Sequence, residues 1–466
     1  MDFRTIGVAE LAEAVRAGEV RAVEIATDAL ERITALNPAL NAFVEVDADA
    51  ALATARDLDA RRSRGEDLGP LAGVPLGVKD LEDASGYRTT QGSRLFADHP
   101  PVTRDSVLVS RLKDAGCVVV GKTNTPELGW QPQTDNEVFG PTRSPWNREH
   151  TPGGSSGGSA AAIASGMVAL ATGSDGGGSI RIPAALCGFS GFKPSLGRVP
   201  SGGSEPPHWP DLSTSAPMAR TTFDIAYALD AVIGPDPTDL RSLPMPEASW
   251  AAAVEDPRVP MRVAWSPTLG YAAVDREVRA VCERAVKVLA DLGAEIEEVD
   301  SVFSTDPITP WLTMANAFML RSLRHAWGTG DWGKLTPGLA HQLESAAATS
   351  AVDLVEAMDA CHRMNLALIE LFHHVRLLVT PTTAASAPRC GEPGRINGTP
   401  TYAWVGFTYP FNLTRSPAGT VCAGLTSSGL PVGLQLVGPQ HADAAVLRAM
   451  AALEAALGED TVASVD

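Results

Sequence analysis

The chain has 466 residues, 44% of them hydrophobic, and a formal net charge of −18. That is apolar material for a large core, and an acidic balance without any dense Lys/Arg run speaks against nucleic-acid binding. Gly (43) and Pro (35) are abundant but aperiodic, which excludes a fibrous chain and points to many tight connections.

In chain order, Val23 to Leu36 carries apolar residues at helical spacing, and the helix is expected to stop at Asn37-Pro38. An Ala-rich stretch from Asp47 to Arg62 predicts a second helix, so residues 1–65 form an N-terminal helical segment packing on the core. Leu71 to Val78 is too broken by Gly and Pro for a helix and predicts a strand or loop leading to Lys79. Ser106 to Ala115 predicts a helix that Gly116 stops, with a buried strand over Cys117 to Val120. A helix from Ser159 to Met167 and an apolar strand from Val168 to Thr172 follow. The stretch from Pro235 to Pro260, rich in Pro and Asp, reads as a surface excursion or linker. Asp275 to Leu292 is an amphipathic helix, followed by a strand over Ala294 to Val299. Arg376 to Thr380 and Pro431 to Val437 are short apolar strands, and Ala442 to Leu457 is the last helix. Strands alternating with helices predict an α/β fold, a central mixed β-sheet covered by helices on both faces, in one domain over residues 1–466.

The six cysteines lack any C-x-x-C spacing and mostly have apolar neighbours, the pattern of buried free thiols in a reducing compartment. The start, Met1-Asp2-Phe3-Arg4, lacks a secretory pattern, and no stretch approaches about 18 uninterrupted apolar residues. A cytoplasmic protein, monomeric or homodimeric, with no membrane or nucleic-acid partner is the expectation. No H-E-x-x-H pattern or paired metal ligands occur, so neither metal nor cofactor is expected.

Three patterns compete for the chemistry. Gly116 to Thr123 matches the phosphate-loop expression, but its four variable positions are themselves the apolar strand, whereas a phosphate loop needs a flexible stretch after a strand. Gly153-Gly154-Ser155-Ser156-Gly157 matches a nucleophile elbow, which would make Ser155 the nucleophile. It requires a downstream Asp and then a His, and none of His208, His325, His341, His373 or His374 lies in a suggestive setting. It also requires a strong preceding strand, yet Pro145 to Pro152 is polar and proline-bounded. Third, two Gly/Ser clusters run from Thr151 to Ser159 and from Gly173 to Pro183, with Ser179 lying 24 positions after Ser155. A helix and a strand bridge them, so both loops can return to one end of a sheet. Three glycines running into Ser179 can turn several backbone N–H groups toward one point, as an oxyanion hole requires. The bulky Ile180 and Ile182 say that this loop enters a core rather than turning idly at the surface.

These segments resemble the amidase signature family. The resemblance extends over Gly73-Val74-Pro75-Leu76-Gly77-Val78-Lys79-Asp80, Gly121 to Glu127, Asn147 to Ser159, Cys187-Gly188-Phe189 and Gly191 to Ser195. It continues in Thr380-Pro381-Thr382, Pro410 to Leu413 and Gly429 to Gln435, so it spans nearly the whole chain. It implies an amide-hydrolysing enzyme with a small-molecule amide substrate and a Ser-cisSer-Lys triad. In that triad Ser179 is the acylating nucleophile, Ser155 the bridging serine after a cis peptide, and Lys79 the base. Gly176, Gly177, Gly178 and Ser179 would supply oxyanion donors, and Gly129 would line the acyl pocket. Asp175 and Arg181 would pair to fix the loop, with Ser156 as further support.

The physics of these roles is consistent. A serine hydroxyl needs a base, and a lysine is neutral near pH 7 only if burial lowers it from about 10.4. The neighbours of Lys79 (Val74, Pro75, Leu76, Val78) are apolar, and in a strand Asp80 points the opposite way. Where the family often has Thr, Ile or Leu, this chain has Gly176, which should loosen the loop or widen the pocket. Two classes of enzyme remain. One is a free-standing hydrolase of small amides, esters or carbamates. The other is the glutamine-hydrolysing component of a tRNA-dependent amidotransferase, which typically has Thr at the position of Gly176 and Gln at that of Ile182. Trp130, Phe139, Trp209, Trp311, Phe318, Trp332 and Trp404 suggest a hydrophobic pocket and hence the first.

Overall fold

Buried apolar strands in this chain collect into two mixed sheets flanked by helices. The computed structural model describes residues 1–458 and 462–464. The first sheet has strands β1 (Phe43–Val46), β2 (Pro75–Lys79), β3 (Val118–Thr123), β4 (Leu170–Asp175) and β6 (Thr214–Ala219), in the order β1-β3-β2-β4-β6. Its centre is parallel (β3, β2, β4) and both edge strands are antiparallel. The second sheet adds β5 (Gly191–Lys193), β7 (Arg262–Trp265), β8 (Glu295–Glu298), β9 (Leu377–Pro381), β12 (Ala418–Leu425) and β13 (Pro431–Val437), in the order β5-β12-β13-β9-β7-β8. A separate hairpin pairs β10 (Gly394–Ile396) with β11 (Thr399–Thr401). The two large sheets meet where the Ser190 N–H donates to the Arg220 carbonyl, between the ends of β5 and β6.

Every residue of β2, β9 and β13 is buried, which is why these strands read as continuous apolar runs instead of alternating ones. The N-terminal helices Val8–Ala17 and Ala22–Leu40 place Leu11, Val15, Ile25 and Ile33 in the same core cluster as Leu76, Val118 and Leu170 of the sheet. Helices Arg276–Asp291 and Asp443–Leu457 pack on β12 and β13.

Two local expectations change. The helix begun at Ala22 runs through Pro38 and ends only at Leu40. Proline is tolerated there because the chain leaves the helix within a turn. Asn41 adopts the left-handed conformation, and the Asn37 side chain accepts the N–H groups of Ala42 and Phe43. The stretch from Pro235 to Pro260 is not merely an excursion. It contains the helix Trp250–Val254, and the Trp250 ring is buried edge-on against Phe192, with centroids 6.3 Å apart.

Candidate active site

The parallel centre of the first sheet sets the site. Strands β2 and β4 end on one edge, at Lys79 and Asp175. The helix Gly157–Ala164 leads into β4 and so starts near that edge, which brings Ser155 and Ser156 beside the strand ends. Strand β6 starts there too, with Ser215 the register partner of Ser174. A crevice at the carboxyl ends of parallel strands is where α/β folds place their ligands.

Lys79 is fully buried, and its Nζ lies 2.7 Å from Ser155 Oγ, 2.9 Å from Ser156 Oγ and 2.9 Å from Ser174 Oγ. Burial lowers it from 10.5 to about 7, against the opposing pull of Glu82 and Asp175, so a large share of the amine is neutral at neutral pH. Asp80 turns away, as the strand alternation requires, and pairs with Lys122 Nζ at 3.2 Å. Lys122 is thereby a buried structural cation within β3, also bonded to the carbonyls of Glu82 and Arg88, and not a phosphate ligand. The Gly154–Ser155 peptide is cis. The two Gly/Ser clusters do meet: the Ser156 N–H donates to the Ser179 carbonyl at 3.2 Å.

The loop after β4 is held from outside by its carbonyls. Asn412 Nδ2 donates to the Asp175 carbonyl (2.7 Å), Trp311 Nε1 to that of Gly176 (2.8 Å) and Thr408 Oγ1 to that of Gly177 (2.6 Å). A peptide unit points its N–H opposite to its C=O, so these bonds turn successive N–H groups the other way. The N–H groups of Gly176, Gly177 and Ser179 have no acceptor among the described residues. Gly178 differs from expectation: its N–H donates to Asp175 Oδ1 at 2.8 Å, which removes it from the set of ready oxyanion donors. The same carboxylate takes the Ile180 N–H and pairs with Arg181 Nη2 at 2.8 Å, both side chains fully buried. Burial pushes the Asp175 carboxyl up, but Arg181 overrides it and holds the group well below the usual carboxylate range. Arg181 also donates to the Thr408 carbonyl, Gln435 Oε1 and Asn412 Oδ1.

Gly129, Ser155, Ser174, Gly176 and Ser179 face one cavity of about 520 Å³. Gly129 has φ +72, and a Cβ there would sit 3.3 Å from Ser155 Oγ and 2.8 Å from Leu81 Cδ1, so only glycine leaves the hydroxyl clear. Leu128, Trp209, Met319 and Leu323 give the cavity an apolar side. Of the seven aromatics singled out in the sequence, Trp209 alone lines it. Trp404 is buried in the core of the second sheet and Trp311 braces the loop from behind. Trp130 and Trp332 pack with Leu128, Trp209, Met319 and Leu323 without lining the cavity, Phe318 packs with Trp209 and Trp311, and Phe139 does not line it. Nor does Gly176 loosen the loop or widen the pocket. The Trp209 ring occupies the space, 2.6 Å from where a Cβ would stand, and packs edge-on against Trp311 at 5.9 Å. Among the histidines named for the elbow pattern, His208 alone reaches the cavity, and it bonds Ser322. Among the described residues, no group of three or more His, Cys, Asp or Glu could hold a metal ion.

The Amidase family model matches residues 24–447. The chain belongs to the amidase signature family. The amidase is 37% identical over 462 residues to an acylamidase of Rhodococcus erythropolis, covering 97% of this chain and 95% of that one. It is 38% identical over 482 residues to the A component of the glutamyl-tRNA(Gln) amidotransferase of Acidothermus cellulolyticus, covering 97% and 94%. Among solved structures, a bacterial aryl acylamidase of the same family superposes with TM-score 0.91 at 30% identity, over 97% of this chain and 96% of that one. The corresponding amidotransferase component of Thermotoga maritima gives 0.77 at 29%, over 97% and 95%. The amidase is an amide-hydrolysing enzyme with a mixed α/β fold, and no described helix is long and apolar enough to cross a membrane.

Sequence reasoning missed Ser174, the third hydroxyl on Lys79, although it stands inside the Gly173-to-Ser179 cluster. It also missed Glu82, three residues past Lys79, which faces the cavity and gave no signal beyond its charge.

Proposed function

We propose that the protein is a free-standing amidase that cleaves small amides with an apolar arm, through an acyl-enzyme on Ser179. Lys79, neutral, takes the proton of Ser155, which takes that of Ser179 as its oxygen attacks the carbonyl carbon. The N–H groups of Gly176, Gly177 and Ser179 stabilise the oxyanion. Lys79 then returns the proton through Ser155 to the leaving nitrogen, and water repeats the cycle on the acyl-enzyme. The observation that carries this is the 2.7 Å contact of Lys79 Nζ with Ser155 Oγ in the cavity that Ser179 also faces. Esters and carbamates pass through the same kind of intermediate and fall within its scope.

A second reading, the glutamine-hydrolysing component of an amidotransferase, draws on a relative of equal similarity, 38% identical. Three observations favour the first. The aryl acylamidase superposes better, 0.91 against 0.77. Trp209 seated over Gly176 makes an apolar wall, and Ile182 is buried where the amidotransferase type carries a polar residue. A fluorophosphonate probe followed by peptide mapping tests the site. Label on Ser179, with turnover of an aryl amide in the absence of any partner chain, is expected. Label on Ser155 would favour the elbow arrangement, and glutaminase activity appearing only with a partner would favour the second reading.

A further inference from the structure

The cavity has a second, polar end. Ser174 and Ser215 are register partners on adjacent strands, so their side chains share a face of the sheet. From the Lys79 hub the polar wall runs over Ser174 to Ser215, whose hydroxyl donates to Glu82 Oε1 at 2.5 Å. Ser106, which also lines the cavity, bonds the same carboxyl. Glu82 has no ion-pair partner among the described residues. Lys79 acts on it through space and would be neutral as the base, while Lys122 Nζ is held by the Glu82 main-chain carbonyl and by Asp80. Glu82 is half-buried at the cavity wall, and its carboxyl has hydroxyls but no cation bonded to it, so it can take a cationic partner when a ligand excludes water from the cavity. The cations among the described lining residues are Arg104, which is exposed at the rim, and Arg241, which is tied to Asp211 at 2.9 Å.

We propose that this end is a subsite for an ammonium-bearing arm of the amide, with Glu82 as its counter-ion. An ammonium has three donors and no acceptor. The Glu82 carboxylate and the hydroxyl oxygens of Ser215 and Ser106 offer the acceptors that such a group needs once it leaves water. The other side of the cavity, with Leu128, Trp209, Met319 and Leu323, takes the apolar arm, so the preferred substrate is an amide joining an apolar group to a short amine-tipped chain. Burial raises the Glu82 carboxyl and Lys79 lowers it, so an arriving cation favours the ionised form that binds it. This inference rests on the amidase reading, because it places the subsite beside Ser179.

Two matched substrate series test it. One comprises the 4-nitroanilides of butanoate, 4-aminobutanoate and succinate. The other comprises benzamides of propylamine, 1,3-diaminopropane and β-alanine. In at least one series the ammonium member should exceed the carboxylate member at least about tenfold in kcat/KM, the usual size of a charge-assisted contact. Glu82→Gln should bring that ratio close to one, chiefly through KM. Removal of the charge beside Lys79 shifts the pH profile of all members alike, so the ratio isolates binding. Propylammonium should also inhibit hydrolysis of the neutral anilide competitively, and propanoate should not, a test that needs no variant to fold. Turnover of the neutral members without ammonium preference in either series, or a preference that survives in Glu82→Gln, would overturn the subsite. Failure to turn over any member, together with no phosphonate label, would overturn the amidase reading instead.

Discussion

Replacing Lys79 by methionine should separate stability from activity. Methionine keeps much of the side-chain length and removes the charge. In the folded protein burial lowers Lys79 from 10.5 to about 7. At about 1.4 kcal/mol per tenfold, the ammonium is disfavoured there by about 5 kcal/mol. The sign follows from proton counts. Above pH 10.5 the amine is neutral in both folded and unfolded chains and contributes nothing. Between 10.5 and about 7 the unfolded chain holds a proton that the folded chain does not, so stability falls as pH falls. Below that window both are protonated and the full penalty is present. Lys79→Met abolishes the penalty but leaves Ser155, Ser156 and Ser174 without the nitrogen they share, a loss of about 1–3 kcal/mol. The variant should therefore be more stable than the parent by about 2–4 kcal/mol near pH 6. The gain should shrink through pH 8 and reverse toward pH 10, while aryl amide hydrolysis is lost. Urea unfolding followed by circular dichroism across that pH range measures the difference directly. A variant less stable by the same margin at every pH would refute a buried neutral amine, and retained hydrolysis would refute its role as base.

Other outcomes follow from the same geometry. An amine leaves badly unless protonated, so Lys79→Ala should cost an amide about 10²–10⁴-fold and an ester of the same acyl group less, read as kcat on the matched pair. Gly176→Thr would drive a side chain into the Trp209 ring, which lies 2.6 Å from the Cβ position. It should lower kcat/KM on aryl amides, alter tryptophan fluorescence and cost about 1–3 kcal/mol, with partial rescue by Trp209→Ala. Normal kinetics in Gly176→Thr would mean that the indole is not seated there during turnover. Asp175→Asn strips the anion from the buried Arg181, so thermal unfolding should show a loss of about 3–5 kcal/mol together with lost activity. Unchanged stability would show that the Arg181 contacts to Asn412 and Gln435 suffice.

Much of this was legible in the chain because the informative contacts are short-range or carried by local pattern. The helix from Arg276 to Asp291 announced itself by its apolar stripe, and β3 by its run of valines. Lys79 stood out only through the motif around it, since lysine is ordinarily a surface residue. The rest was hidden because it depends on partners far apart in sequence. Trp311 looked like a pocket residue, yet its indole nitrogen reaches back 135 residues to the Gly176 carbonyl. Thr408 and Asn412 gave no sign that they orient the Ser179 loop, and composition alone could not tell that Asp175 would claim the Gly178 N–H. Trp209 sits in an irregular stretch where periodicity carries no information, so its seat on Gly176 emerged only in three dimensions.

The clamp on the Ser179 loop also has a temporal side. Arg181 is anchored by Thr408 and Gln435, 227 and 254 residues further along. At ribosomal speeds of about 5–20 residues per second, those anchors emerge about 10–50 s after Ser179. A nascent chain thus exposes Ser179 long before Thr408 and Asn412 can hold the carbonyls of its loop. The clamp is completed last, when the strand that carries Gln435 is made.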